Sequence, residues 1–147
     1  MREIIFKAKR IDNGEWIEGY LFDNGFDGEE KKYFVGGLVI EKYNGTACDE
    51  WDITGIDFCE IDPETVCQFT GLTDKNGKKI WENDIVFVTD KNGCSGQIST
   101  GFGDVIFIEG MWYINGRVQE VLYDINKVFQ IEVIGNIFDN SELLQEE

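Results

Sequence analysis

Gln68–Trp81 reads QFTGLTDKNGKKIW, two β-prone runs on either side of Asp74-Lys75-Asn76-Gly77. Asn-Gly suits a tight hairpin because both residues tolerate the positive φ that a type I′ turn demands. The pentapeptide TDKNG at Thr73–Gly77 returns at Thr89–Gly93. Asn-Gly also stands at Asn13-Gly14, Asn24-Gly25, Asn44-Gly45 and Asn115-Gly116. EIIFKAKR and EWIEGYLF flank the first of these pairs, and MWYI precedes the last. Turn residues spaced in this way between runs of Ile, Val, Phe, Tyr and Trp predict antiparallel hairpins. The repeat is therefore turn chemistry used twice. Its second copy runs into GCSGQISTGFG (Gly93–Gly103), which reads as a glycine-rich loop.

Two segments depart from this pattern. In RVQEVLYDIN (Arg117–Asn126), Val118, Val121, Leu122 and Ile125 follow the i, i+3, i+4, i+7 spacing of one helix face. That spacing predicts a short helix or 3₁₀ turn before the strand KVFQIEVIG. Asn140 is placed to cap a last turn through SELLQEE, whose acidic end opposes the helix dipole and predicts fraying. The single proline, Pro63, lies in the acidic stretch DEWDITGIDFCEIDPETV (Asp49–Val66). We place the seam there, between a β-hairpin-rich half (1–66) and a C-terminal half (67–147). The acidic residues predict an exposed stretch, with Trp51, Ile53, Ile56 and Phe58 able to pack on one side.

A chain of 147 residues, 42% hydrophobic and 14% aromatic, can bury a core without disulfide or metal. Its net charge of −16, from 29 acidic against 13 basic residues, argues against nucleic-acid binding, which draws its affinity from Lys and Arg. Lys7–Arg10 and Lys75–Lys79 are too small to reverse that. The acid either solvates the surface or imitates a nucleic-acid backbone. No run approaches the roughly 20 apolar residues of a membrane span. The opening MREIIFKAKR is too short in its apolar part for a signal peptide, so the expected compartment is the cytosol. Cys48, Cys59, Cys67 and Cys94 form no C-x-x-C pair and the chain has no histidine. Four reduced thiols and no structural zinc follow as expectations.

Candidate chemistry is sparse. Without histidine there is no Ser-His or Cys-His nucleophile pair. DNGFDGEEKKYF (Asp23–Phe34) places Asp23, Asp27 and Gly28 where a calcium loop would have them. Gly25 at its third place and Phe34 at its twelfth lack the oxygens such a loop needs, so it reads as a polar turn. KNGCSGQISTGFG lacks the G-K-[ST] of a phosphate-binding loop. Four Trp and eleven Phe without a basic track predict packing, not base stacking. No catalytic, cofactor-binding or metal-binding residue is assigned.

VCQFTGLTDKNGKKIWENDIV (Val66–Val86) resembles the signature of the YopX family of phage and prophage proteins. That signature is a strand, T-G-L-x-D-x-N-G-x-x-I, an aromatic, an acidic residue and G-D-I-V. Thr70, Gly71, Leu72, Asp74, Asn76, Gly77, Ile80, Trp81, Glu82, Asp84, Ile85 and Val86 carry the match. The opening MREIIFKAKRIDNGEWIEGYLF is similar to the family's start. FQIEVIGNIFDNSELL, with Ile134, Gly135 and Asn136, is similar to its ending. Asn83 replaces the usual glycine, and asparagine tolerates the same left-handed backbone. The middle, roughly Asp23–Glu64, adds no usable motif to the resemblance.

The resemblance implies a C-terminal SH3-like small barrel, assembly as a homo-oligomer and no assigned reaction. The expected protein is mainly β, with antiparallel hairpins and minor helix. The expected function is a non-enzymatic protein-interaction module of phage or prophage origin, in the bacterial cytoplasm, with a host or phage protein as partner. The alternatives are an acidic DNA-mimic inhibitor of a DNA-binding protein and a small carboxylate-dependent enzyme. The signature residues all have structural readings: Gly71 and Gly77 serve turns, Asp74 bonds its own following backbone, and Ile80, Ile85 and Val86 fill a core.

Overall fold

A computed structural model describes residues 1–42, 51–90, 101–116, 120–122 and 129–145, and among them the chain is mainly antiparallel β. The chain divides into two units, Ile4–Val66 and Cys67–Glu147 with Met1–Glu3.

The first unit is a meander of β1 (Phe6–Lys9), β2 (Trp16–Asp23), β3 (Tyr33–Lys42) and β4 (Trp51–Ile61), in the order β4-β3-β2-β1. Ala8, Val35 and Ile61 form its buried core, packed by Ile17, Leu21, Tyr33 and Val66. The register puts these on one face: Ala8 pairs with Ile17, Leu21 with Val35, and Tyr33 with Ile61. After β1 the chain returns to the end of β4, where Ile11 N donates to Glu60 O at 3.1 Å and Asp62 N to Lys9 O at 2.9 Å. Gly36 sits where β3 coils tightly against β4. A Cβ there would lie 2.0 Å from Asp57 O and 2.6 Å from Phe58 Cα. Beyond β4, Asp62 Oδ1 accepts from Glu64 N, with Pro63 opening a short 3₁₀ turn.

The second unit begins with the hairpin β5 (Cys67–Thr73) and β6 (Lys79–Trp81). It continues with β7 (Asp84–Asp90), β8 (Gly101–Ile108), β9 (Met111–Gly116), β10 (Glu120–Val121) and β11 (Phe129–Asn136). The last five form an antiparallel sheet of order β10-β9-β8-β7-β11. Its ladders do not trace an SH3-like closure among the described residues. Ile80 of the hairpin shares one buried cluster with Val86, Val88, Val105, Ile114, Leu122 and Ile131 of the remainder, so the hairpin lies over the sheet.

Several local expectations need correction. Asn115-Gly116 is not a turn: both residues sit in β9, opposite Asp104 and Gly103. At Asn13-Gly14, Asn24-Gly25 and Asn76-Gly77 only the glycine has positive φ, at 70°, 78° and 79°, so none is a type I′ turn. The two-residue turn with both φ positive is Glu109-Gly110, at 51° and 82°, between β8 and β9. Gly101–Gly103, read as the end of a loop, opens β8. Glu120 and Val121, expected in a short helix or 3₁₀ turn, pair as a strand with Ile114 and Tyr113, while Leu122 is helical as expected and buried. The rest of the Arg117–Asn126 segment lies outside the described residues, as do Asn44-Gly45 and Asn92-Gly93. The final turn is a 3₁₀ turn, Ser141–Leu144, and Asn140 does not cap it with its side chain. Its Oδ1 instead accepts from Asn136 N at 3.3 Å.

Candidate interaction surface

The signature residues converge on main-chain groups of the second unit. Asp74 is buried. Its Oδ1 accepts from Asn76 N and Lys78 N, each at 2.9 Å, and its Oδ2 from Val133 N at 3.0 Å. One carboxylate thus builds the β5–β6 turn and ties it to β11. Burial pushes this carboxyl up, but the N–H groups of Val133, Lys78 and Asn76 outweigh it and hold the pKa below the ordinary value. Gly77 N donates to Asp74 O at 3.0 Å, completing the turn.

Thr70 Oγ1 donates to Ile80 O at 2.7 Å and accepts from Leu72 N at 3.2 Å. Gly71, at φ 87°, lies within the register shift between Phe69 and Thr73. Asp84 is buried and accepts from Trp81 N at 2.8 Å, while Ile80, Ile85 and Val86 have no exposed surface. Ile134 lies in the register shift between Val133 and Gly135, and Asn136 pairs with Asp84. Asn136 Oδ1 accepts from Phe138 N and Asp139 N, folding the chain away from β11. Asn83 takes φ 68°, and its Nδ2 lies 3.7 Å from Cys67 Sγ. These residues hold backbone together and present no convergent reactive groups.

Among the described residues one acidic side chain with a raised pKa is Asp104. Burial raises the pKa of Asp104, against its own main-chain N–H and the Asn115 side chain. The hollow around it, of about 210 Å³, is lined by Phe102, Asn115, Gly116, Leu143 and Leu144, with no second acid among the described residues. Among the described residues no group of three or more Cys, Asp or Glu could hold a metal. In the Asp23–Phe34 loop, Asp23 Oδ1 accepts from Gly25 N, and Asn24 Oδ1 from Phe26 N and Lys32 N, which makes it a polar turn. Cys59 and Cys67 are not in a disulfide, and Cys48 and Cys94 lie outside the described residues.

The distinctive surface is the second face of the N-terminal meander. Strand alternation puts Tyr20 and Phe22 of β2, Phe34 and Leu38 of β3, and Ile56 and Phe58 of β4 on the face opposite Ala8 and Val35. Phe22, Phe34 and Phe58 pack together, with ring centroids 5.2 to 6.1 Å apart. Beside them Tyr20, Leu38, Ile56 and Phe58 are 62%, 54%, 57% and 47% exposed. Tyr20, Phe22, Gly37, Leu38, Ile40 and Ile56 line a shallow groove of about 560 Å³. Contiguous apolar patches of this kind are uncommon on protein surfaces, whereas singly exposed apolar residues are ordinary. Residue pattern alone offered Trp51, Ile53, Ile56 and Phe58 as a packing side, and the Trp51 side chain lies outside the described residues. The contribution of Tyr20 and Leu38 needed the strand register.

A smaller apolar patch occupies the tip of the β8–β9 hairpin. Phe107, Ile108 and Met111 are exposed there, and the Phe107 ring lies 4.7 Å from that of Trp112.

A family model described as YopX protein matches residues 7–145. Among solved structures, the chain is similar to the crystal structure of protein EF1440 from Enterococcus faecalis. The TM-score is 0.57 and the identity 21%, over 98% of this chain and 99% of that one. At that identity the likeness is one of fold. A search of curated proteins finds no match. Among the described residues no helix is long and apolar enough to cross a membrane. With the family model covering nearly its whole length, the chain belongs to the YopX family.

Proposed function

We propose that this protein is a non-enzymatic interaction module of phage or prophage origin, acting in the bacterial cytoplasm through the apolar face of its N-terminal unit. The observation that supports this is the cluster of Tyr20, Leu38, Ile56 and Phe58, exposed together over an aromatic base. These side chains are about half-exposed, so covering them would recover roughly 1 kcal/mol each before the costs of association. The C-terminal unit serves in this reading as the scaffold. Self-assembly as a homo-oligomer is part of the same reading, with the β8–β9 tip as contact between copies. Light scattering should then give a whole-number multiple of 16.9 kDa, reduced by Phe107→Asp. A monomer at every concentration would remove this part.

The test of the module compares tagged wild type with Leu38→Asp/Ile56→Asp in pull-downs from lysogenic cells. Both positions are exposed, so the fold should tolerate the change. The expected result is a partner lost in the double variant and retained by wild type when salt is raised several-fold. Equal recovery by both proteins would overturn the reading. The DNA-mimic reading draws on the net charge of −16. It requires a partner released by salt and by DNA. Against it, the acidic stretch from Asp49 to Glu64 is broken by exposed Ile53, Ile56 and Phe58.

A further inference from the structure

β4 ends its sheet: among the described residues it pairs with β3 alone, apart from the bridge between Arg10 and Ile61 at its last residue. That bridge shows which main-chain groups point outward. Glu60 O and Asp62 N face Ile11 and Lys9, away from β3. In an antiparallel strand the N–H and C=O of one residue share an edge, and edges alternate with a period of two. The main-chain groups of Phe58 and Ile56 therefore point outward as well, with no paired strand beside them among the described residues. Their side chains stand on the apolar face, and Ile56 lines its groove. Between them Asp57 is exposed on the opposite face.

Open hydrogen-bonding edges recruit strands. An incoming strand here would meet an apolar rim on one face and a carboxylate on the other. We infer that the outer edge of β4 at Ile56–Phe58 takes up an extended segment of a basic partner protein as an added strand. Its apolar side chains would lie over the Leu38–Ile56 groove, with an intervening Lys or Arg facing Asp57. Charge selects this occupant. A second copy would bring another −16 and its own Asp57 to the edge, whereas a basic segment complements both. Main-chain bonds would hold the segment, and the alternating faces would set its sequence preference.

This inference rests on the interaction-module reading and is tested separately. Full-length protein is mixed with a capped peptide alternating Val and Lys, and amide hydrogen exchange is followed residue by residue. At a peptide concentration ten times its Kd, exchange at Ile56 and Phe58 should slow about tenfold. A block peptide of the same composition, three Lys then three Val, should leave both amides unchanged, as should an alternating Val–Glu peptide. Protection by the block peptide would reduce the effect to bulk charge and overturn the proposal. So would unprotected amides with the alternating peptide, or protection that rises with protein concentration alone, which would mean self-pairing. If the amides stay unprotected while Leu38→Asp/Ile56→Asp still loses its partner in cells, strand addition fails and the module reading stands. If the double variant keeps its partner, the module reading itself fails.

Discussion

The two units are built from the same antiparallel hairpins and treat their apolar residues in opposite ways. The C-terminal unit gathers Ile80, Val86, Val88, Val105, Ile114, Leu122 and Ile131 into one buried cluster. The N-terminal unit buries Ala8, Val35 and Ile61 and leaves Tyr20, Leu38, Ile56 and Phe58 exposed. The same kind of β-prone sequence thus yields a well-filled scaffold and a thin sheet with one unburied face. Family signature residues cluster in the scaffold, and Asp23–Glu64, which carries none of them although the family model spans it, supplies most of the exposed face.

The largest expected effect breaks the scaffold at Asp74. Asp74→Ala leaves three main-chain N–H groups without their acceptor. It should cost about 4 kcal/mol, measured by urea denaturation. A loss under 1 kcal/mol would mean that water satisfies the turn and that Asp74 does not tie β5–β6 to β11. Next, the contrast between cores can be measured directly. Ile80→Ala should cost about 3 to 4 kcal/mol and Val35→Ala about 2 kcal/mol, from the larger volume removed inside the larger cluster. Equal losses would erase the distinction between the units.

Two carboxylates of the C-terminal unit should then respond to pH with opposite sign. Asp74 has a folded pKa below its ordinary 3.8, so its stabilisation is complete above that value and disappears as pH falls through the depressed one. Asp74→Asn should therefore be destabilised by about 1 to 2 kcal/mol at neutral pH and converge with wild type in strong acid. Asp104 has a folded pKa above 3.8, so its ionised form opposes folding once pH exceeds the unfolded value. Asp104→Asn should be more stable than wild type at neutral pH, with the gain absent in acid. Thermal melts across pH would check both, and parallel curves for the two variants would contradict the assignment. The smallest effect is at the hairpin tip. Glu109 holds φ 51° where asparagine is better tolerated. Glu109→Asn should stabilise by about 1 kcal/mol, a shift readable in the same melts.

Much of the local structure was legible in the residues. Alternating β-branched and aromatic runs between turn residues predicted antiparallel β, and the stretch from Thr70 to Val86 identified the family. The bond from Asp74 to Asn76 N was readable because it is two residues long. The bond from Asp74 to Val133 N was not, because it joins positions 59 apart. Turn types were misread for a related reason. Asn-Gly is a propensity of a dipeptide, and at Asn115-Gly116 the ladder with Gly103 and Asp104 overrides it. At Glu109-Gly110 the register of β8 against β9 leaves only two residues to reverse the chain, and the backbone accepts a left-handed glutamate.

The composition of the N-terminal unit contained its apolar residues but not their sidedness. A period of two divides a strand into two sets, and both sets in β3 are apolar: Tyr33, Val35 and Val39 in one, Phe34 and Leu38 in the other. Sequence alone therefore established antiparallel strands, an acidic net charge and a family. The tertiary structure decided which set is buried, because Ala8, Leu21 and Ile61 arrive through pairing on the Val35 side and leave the Leu38 side uncovered within this unit. A one-residue change of register would have reversed the two faces, and no local preference in these strands distinguishes the alternatives.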